Sequence, residues 1–130
     1  MIEQTTFSQL VKDYLAQEFP DFLPSIKYFP DNSFDCILRN PSDIFSILIS
    51  TENSEITIGI EDPIGNSDIH THISCYHLED IDDCLNRLSK IIKDVQNENL
   101  ILYQDEKGKY DWINAADFPK EKNTVRFSWK

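Results

Sequence analysis

A chain of 130 residues with 40% hydrophobic and 12% aromatic residues can bury a core of its own, which excludes a disordered chain and removes any need for a disulfide or metal framework. Its net charge of −11 argues against direct binding of nucleic acid, because uncompensated acids would meet like-charged phosphates. No window approaches the ~20 apolar residues of a membrane helix, and Met1-Ile2-Glu3-Gln4 lacks the basic start of a secretory signal, so the expectation is one cytoplasmic domain spanning residues 1–130, with no membrane contact.

The first element in chain order is a helix. Thr6-Phe7-Ser8-Gln9 reads as a capping box, and Phe7, Leu10, Val11, Tyr14 and Leu15 follow at helical spacing. Pro20 and Pro24 stop it near Phe19. The pattern then changes to period two. Phe34, Cys36 and Leu38 alternate with Asp35 and Arg39, and Ile44 to Ile49 is apolar on both sides, as a central strand is. Ile56, Ile58 and Ile60 alternate with Thr57 and Gly59; Ile69, Thr71, Ile73 and Cys75 alternate with His70, His72 and Ser74. Short turn-rich breaks separate these segments, which predicts a four-stranded antiparallel meander.

A second helix follows, with Leu78, Ile81, Cys84, Leu85, Leu88, Ile91, Ile92 and Val95 on one stripe. Acids open it and Arg87, Lys90 and Lys93 come later, an order that complements the helix dipole. Leu100-Ile101-Leu102-Tyr103 and Val125-Arg126-Phe127-Ser128-Trp129 read as two further strands, with an irregular stretch between them through Trp112 and Pro119. The predicted class is α+β, with helices on one face of the sheet.

Cys36, Cys75 and Cys84 stand singly, with no CxxC pair. An odd count suits neither a disulfide framework nor a four-cysteine zinc site, so they read as reduced core thiols. Three isolated glycines rule out a glycine-rich phosphate loop. His70-Thr71-His72 is the sharpest local pattern. On a strand both imidazoles point the same way and could share a metal with Asp68 or His77, but no third ligand is fixed, so no metal or other cofactor is expected. Cys75 near His77 invites a thiol-nucleophile reading, yet it falls in the core register among acids, which raises a thiol's pKa. The paired acids Glu61-Asp62 and Asp82-Asp83 read as solvated surface rather than general acid and base. No catalytic residue emerges.

The distribution of charge is more telling than its total. Between Arg39 and Arg87 lie 47 residues without a Lys or Arg, carrying ten acids: Asp43, Glu52, Glu55, Glu61, Asp62, Asp68, Glu79, Asp80, Asp82 and Asp83. The rest of the chain holds 13 acids against 12 bases. Dipole compensation accounts for acids at the helix start but not for the preceding stretch after Arg39, which has no Lys or Arg. This regional asymmetry predicts a surface for a basic partner, built from Glu61, Asp62, Asp68, Glu79, Asp80, Asp82 and Asp83 with His70 and His72 beside them. Tyr76, Tyr103, Tyr110 and Trp112 are candidate aromatic anchors. Acids outside the window, such as Glu3 and Glu121, are expected to matter less.

In its acidic balance, opening helix and meander, the chain resembles the small immunity proteins encoded beside bacterial polymorphic toxins, including those of contact-dependent growth inhibition systems. The strand Ile69-His70-Thr71-His72-Ile73, the helix after it and the closing Val125-Arg126-Phe127-Ser128-Trp129 extend the similarity over most of the chain from about Ser54. The resemblance implies a non-enzymatic inhibitor that binds a cognate toxin domain, a basic nuclease foremost, and blocks substrate entry. Two other readings of the residues stay open: a small metal-dependent enzyme using His70, His72 and a carboxylate, and an acidic nucleic-acid mimic directed at a DNA-binding protein.

Overall fold

The computed structural model describes residues 1–119 and 123–130. Helix α1 spans Gln4–Glu18 and begins two residues before the predicted capping box. The reason is Glu3, whose carboxylate accepts from the amides of Thr5 and Thr6 and from the Thr6 hydroxyl. A charged acceptor at the positive end of a helix outcompetes a hydroxyl cap, and these bonds hold the Glu3 carboxyl below its ordinary pKa. Gln9, predicted to close the box, donates to Asp13 instead. Phe7, Val11 and Leu15 are fully buried. Pro20 ends the helix as expected and opens a short 3-10 helix, Pro20–Ser25.

The main sheet holds the four predicted strands and one more. Strands β1 (Lys27–Tyr28), β2 (Phe34–Arg39), β3 (Ser46–Ser50), β4 (Ile56–Glu61) and β5 (Ile69–Ile73) pair antiparallel in chain order, with β3 in the centre. β1 has two residues, too few to show any periodicity. The register places Cys36 opposite Ile49, Ile49 opposite Ile58, and Ile58 opposite Thr71, so one face is almost wholly apolar. Both helices lie on that face and join its side chains in one core. The other face runs Asp35, Ser50, Thr57, His72 across the strands. Among the described residues no helix covers it, and Leu48 and Ser50 of the central strand are only half-buried.

A 3-10 turn, Leu78–Asp80, leads into α2 (Ile81–Gln96), which buries Cys84, Leu85, Leu88, Ile92 and Val95. Beyond it lies a second sheet of three strands, β6 (Leu100–Gln104), β7 (Tyr110–Asn114) and β8 (Val125–Phe127), in the order β7-β6-β8. The stretch expected to be irregular therefore contains β7, which β6 recruits by pairing Leu102 with Trp112 and Ile101 with Ile113. Among the described residues no helix is long and apolar enough to cross a membrane.

Asn40 ties the two sheets together. It is buried, and its side-chain oxygen accepts from the amides of Ile44 and Phe45 while its amide donates to the Trp129 carbonyl and the Ser42 hydroxyl. Trp129 packs edge-on against Phe45 at 5.7 Å between ring centres. Asn40→Ala should cost about 2 to 4 kcal/mol, because two backbone amides lose their acceptor inside the fold. Urea unfolding checks this; a loss under 1 kcal/mol (about the worth of one solvated hydrogen bond) would mean that water replaces the side chain.

Candidate functional site

The predicted acidic surface divides in three dimensions. Glu61, on the uncovered sheet face, lies 3.8 Å from Arg39, which also binds Asp43 at 2.7 Å. Asp62 is buried, and its carboxylate accepts from the amides of Ile64 and Asn66, so it shapes the β4–β5 turn and is not available to a partner. Asp68 is exposed but shares a cleft with Lys109, brought in by the β6–β7 turn. Folding thus supplies bases that the local sequence lacks.

Glu79, Asp80, Asp82 and Asp83 are different. All four are exposed. Asp80 occupies the N-cap position of α2 without a capping hydrogen bond from its side chain, and no ion pair joins any of the four among the described residues. Diffuse attraction to the helix dipole remains, worth about 0.3 to 1 kcal/mol each. This group is the contiguous part of the predicted surface that is exposed and without an ion pair among the described residues.

His70 and His72 stand side by side on the uncovered face, with ring centres 5.1 Å apart. The Nδ1 of His70 lies 3.0 Å from the Ser67 carbonyl. That of His72 lies 3.3 Å from a Glu55 carboxylate oxygen and 2.9 Å from the Thr57 hydroxyl. A carbonyl only accepts, so the His70 contact uses an Nδ1 proton, whereas the roles at His72 depend on its tautomer because the Thr57 hydroxyl both donates and accepts. Asp68 and His77 do not join them: among the described residues no three His, Cys, Asp or Glu side chains are grouped to hold a metal ion. Among the described residues the third ligand that the metal-dependent reading needs is not found.

The cysteines are free and buried. Burial, with Asp35 adding to it, pushes the Cys36 thiol up to about 12. Cys75 is also raised, by burial first and then by the neighbouring Cys84 thiol, which suits a structural thiol and not a nucleophile. Three thiols should titrate rapidly in denaturant without reductant, and slowly in the native protein at pH 8; recovering one would reveal a disulfide. The pH dependence has a definite sign. Below the unfolded thiol's pKa of ~8.5 both states are protonated and nothing is gained or lost. As pH rises from there towards 12, the unfolded chain releases its proton first, so stability falls.

Of the candidate anchors, Tyr103, Tyr110 and Trp112 are half-buried in the second sheet, whereas Tyr76 is 65% exposed. Leu78, predicted to sit on the buried stripe of the second helix, is 57% exposed. The 3-10 turn explains this correction. Leu78 belongs to that turn and not to α2, which begins at Ile81, so it is not part of the stripe that α2 buries. Tyr76 and Leu78 line a cleft with Met1, Ile2 and Glu3 that sequence periodicity does not foresee. No protein-family model, curated protein or solved structure matches the chain.

Proposed function

We propose that the chain is a non-enzymatic immunity protein that works in the cytoplasm, binding a basic toxin domain and neutralising it. The observation that carries this reading is the run of exposed acids Glu79, Asp80, Asp82 and Asp83, without an ion pair among the described residues. A nuclease must present Lys and Arg to hold phosphates, so an acidic protein that occupies the same groove excludes the substrate by both charge and volume. The resemblance to immunity proteins of polymorphic toxin systems points the same way. An electrostatically steered inhibitor also binds fast, towards ~10⁸ to 10⁹ M⁻¹s⁻¹ at low salt, which suits a protein that must intercept a toxin on arrival.

The test is protection. The C-terminal domain of a large secreted protein encoded next to this chain is expressed in cells with and without it, and the purified pair is assayed for nuclease activity and complex formation. Growth rescue with a stoichiometric complex supports the reading. Toxicity undiminished by the chain, or equal binding to unrelated DNA-binding proteins, refutes it, the second outcome marking a general nucleic-acid mimic.

A further inference from the structure

Single exposed apolar residues are ordinary on a protein surface, whereas clustered ones are not. Met1, Tyr76 and Leu78 are 88%, 65% and 57% exposed, and all three line one cleft of about 290 Å³ with Ile2, Glu3 and His77. A smaller cleft adjoins it, sharing Met1 and Tyr76 and adding Glu55 on its wall. Among the described residues neither cleft is lined by a Lys or Arg. The turn that exposes Leu78 continues directly into Glu79 and Asp80. An apolar centre is thus lined by the Glu3 and Glu55 carboxylates and followed in the chain by the exposed Glu79 and Asp80, the layout of an interface core with a polar rim.

We propose that this cleft is the anchoring part of the interface, taking an apolar side chain from a basic partner whose flanking Lys or Arg residues meet Glu3, Glu79 and Asp80. It deepens the immunity reading and rests on it for the identity of the partner. Charge complementarity selects the occupant. A second copy of this chain would set acids against acids, whereas an apolar residue within a basic segment satisfies both the centre and the rim. The division of labour follows: the acids govern arrival, and Tyr76 and Leu78 govern retention.

Two experiments test this independently. In the first, a random 12-residue peptide library displayed on phage is selected on the full chain, and the enriched peptides are titrated while backbone amide resonances are followed by NMR. Enriched peptides should combine a large apolar residue with Lys or Arg and should shift Ile2–Thr6 and Tyr76–Asp80. The variant Tyr76→Ala/Leu78→Ala should bind at least about tenfold more weakly with an unchanged melting temperature, since both side chains are largely exposed; Ile64→Ala, exposed elsewhere, should bind as the wild type. Failure to enrich peptides, shifts confined to another surface, or unchanged binding by the double variant overturns the proposal. In the second, dissociation of the neighbouring-gene toxin domain is timed. Loss of the complex about tenfold faster from Tyr76→Ala/Leu78→Ala supports the anchor. A complex as long-lived as the wild type's removes the anchor while leaving the immunity function intact. Peptides that fill the cleft with no toxin binding refute the immunity reading and leave the cleft standing.

Discussion

Gly59→Ala is expected to destabilise the fold by about 3 kcal/mol or more, which for a domain of this size lowers the melting temperature by roughly 10 °C. Gly59 lies on β4 directly opposite His70. A Cβ built there meets the Ile69 carbonyl oxygen, and it comes within 2.6 Å of the His70 Cβ and 2.8 Å of its Cα. The obstacles are backbone and Cβ of the neighbouring strand, which no rotamer change can remove, so β5 must move. That strand seats Ile69 and Ile73 in the core and leads into Tyr76, so its displacement also disturbs the cleft. Gly65→Ala provides the contrast. Gly65 has φ +87° with nothing within 4 Å of its added Cβ, so only the left-handed backbone resists, at about 1 to 2 kcal/mol. Thermal and urea unfolding of the two variants measure the difference. Equal losses would mean that β4 and β5 tolerate a wider spacing at this pair.

Reversing Asp80 and Asp83 to Lys should slow association with the toxin domain about tenfold or more at low salt, with less effect on dissociation. Both carboxylates are exposed and without ion pairs among the described residues, so their charge reaches the solvent largely uncancelled. The wild-type association rate should fall as salt is added, since the Debye length shortens to about 8 Å at physiological ionic strength, and the double reversal should flatten that dependence. Glu3 does not serve as the distant control that sequence reasoning suggested, because it caps α1 and lines the cleft, and Glu121 lies outside the described residues. Glu18→Lys and Glu106→Lys, exposed on other elements, take that place and should leave the rate nearly unchanged. Each reversal at the start of α2 also forfeits about 0.3 to 1 kcal/mol of dipole attraction, so melting curves accompany the kinetics. A folded double variant with wild-type rate and salt dependence would assign these acids to the helix alone and place the interface elsewhere.

The segments that sequence reading located are those whose pattern repeats within one element. Phe34-Asp35-Cys36, Ile56-Thr57-Ile58 and the stripe Cys84, Leu85, Leu88, Ile92 declare their buried faces through near neighbours alone. β1 and β7 were not legible for the opposite reason. Lys27–Tyr28 is too short for a period, and Tyr110–Asn114 is half-buried on both sides of its alternation, so each is a strand because a neighbour offers it hydrogen bonds. Leu78 fits a helical stripe by spacing, but it lies in the 3-10 turn that precedes α2 and stays exposed.

The sequence by itself determined the α+β class, the order of the main elements, the buried thiols and a middle third without Lys or Arg. Which of those acids remain uncompensated was decided by tertiary structure alone. Charge neutralisation acts through space over a few ångströms, so Arg39 reaches Glu61 across the sheet, and Lys109, distant along the chain, comes to line the same cleft as Asp68. Asp62 turns inward because backbone amides at Ile64 and Asn66 need an acceptor once the turn closes. The contiguous run of exposed acids without an ion pair among the described residues is Glu79, Asp80, Asp82 and Asp83. It lies beside Tyr76 and Leu78, which line a cleft assembled from one turn and residues 1–3 because the start of α1 meets the end of β5.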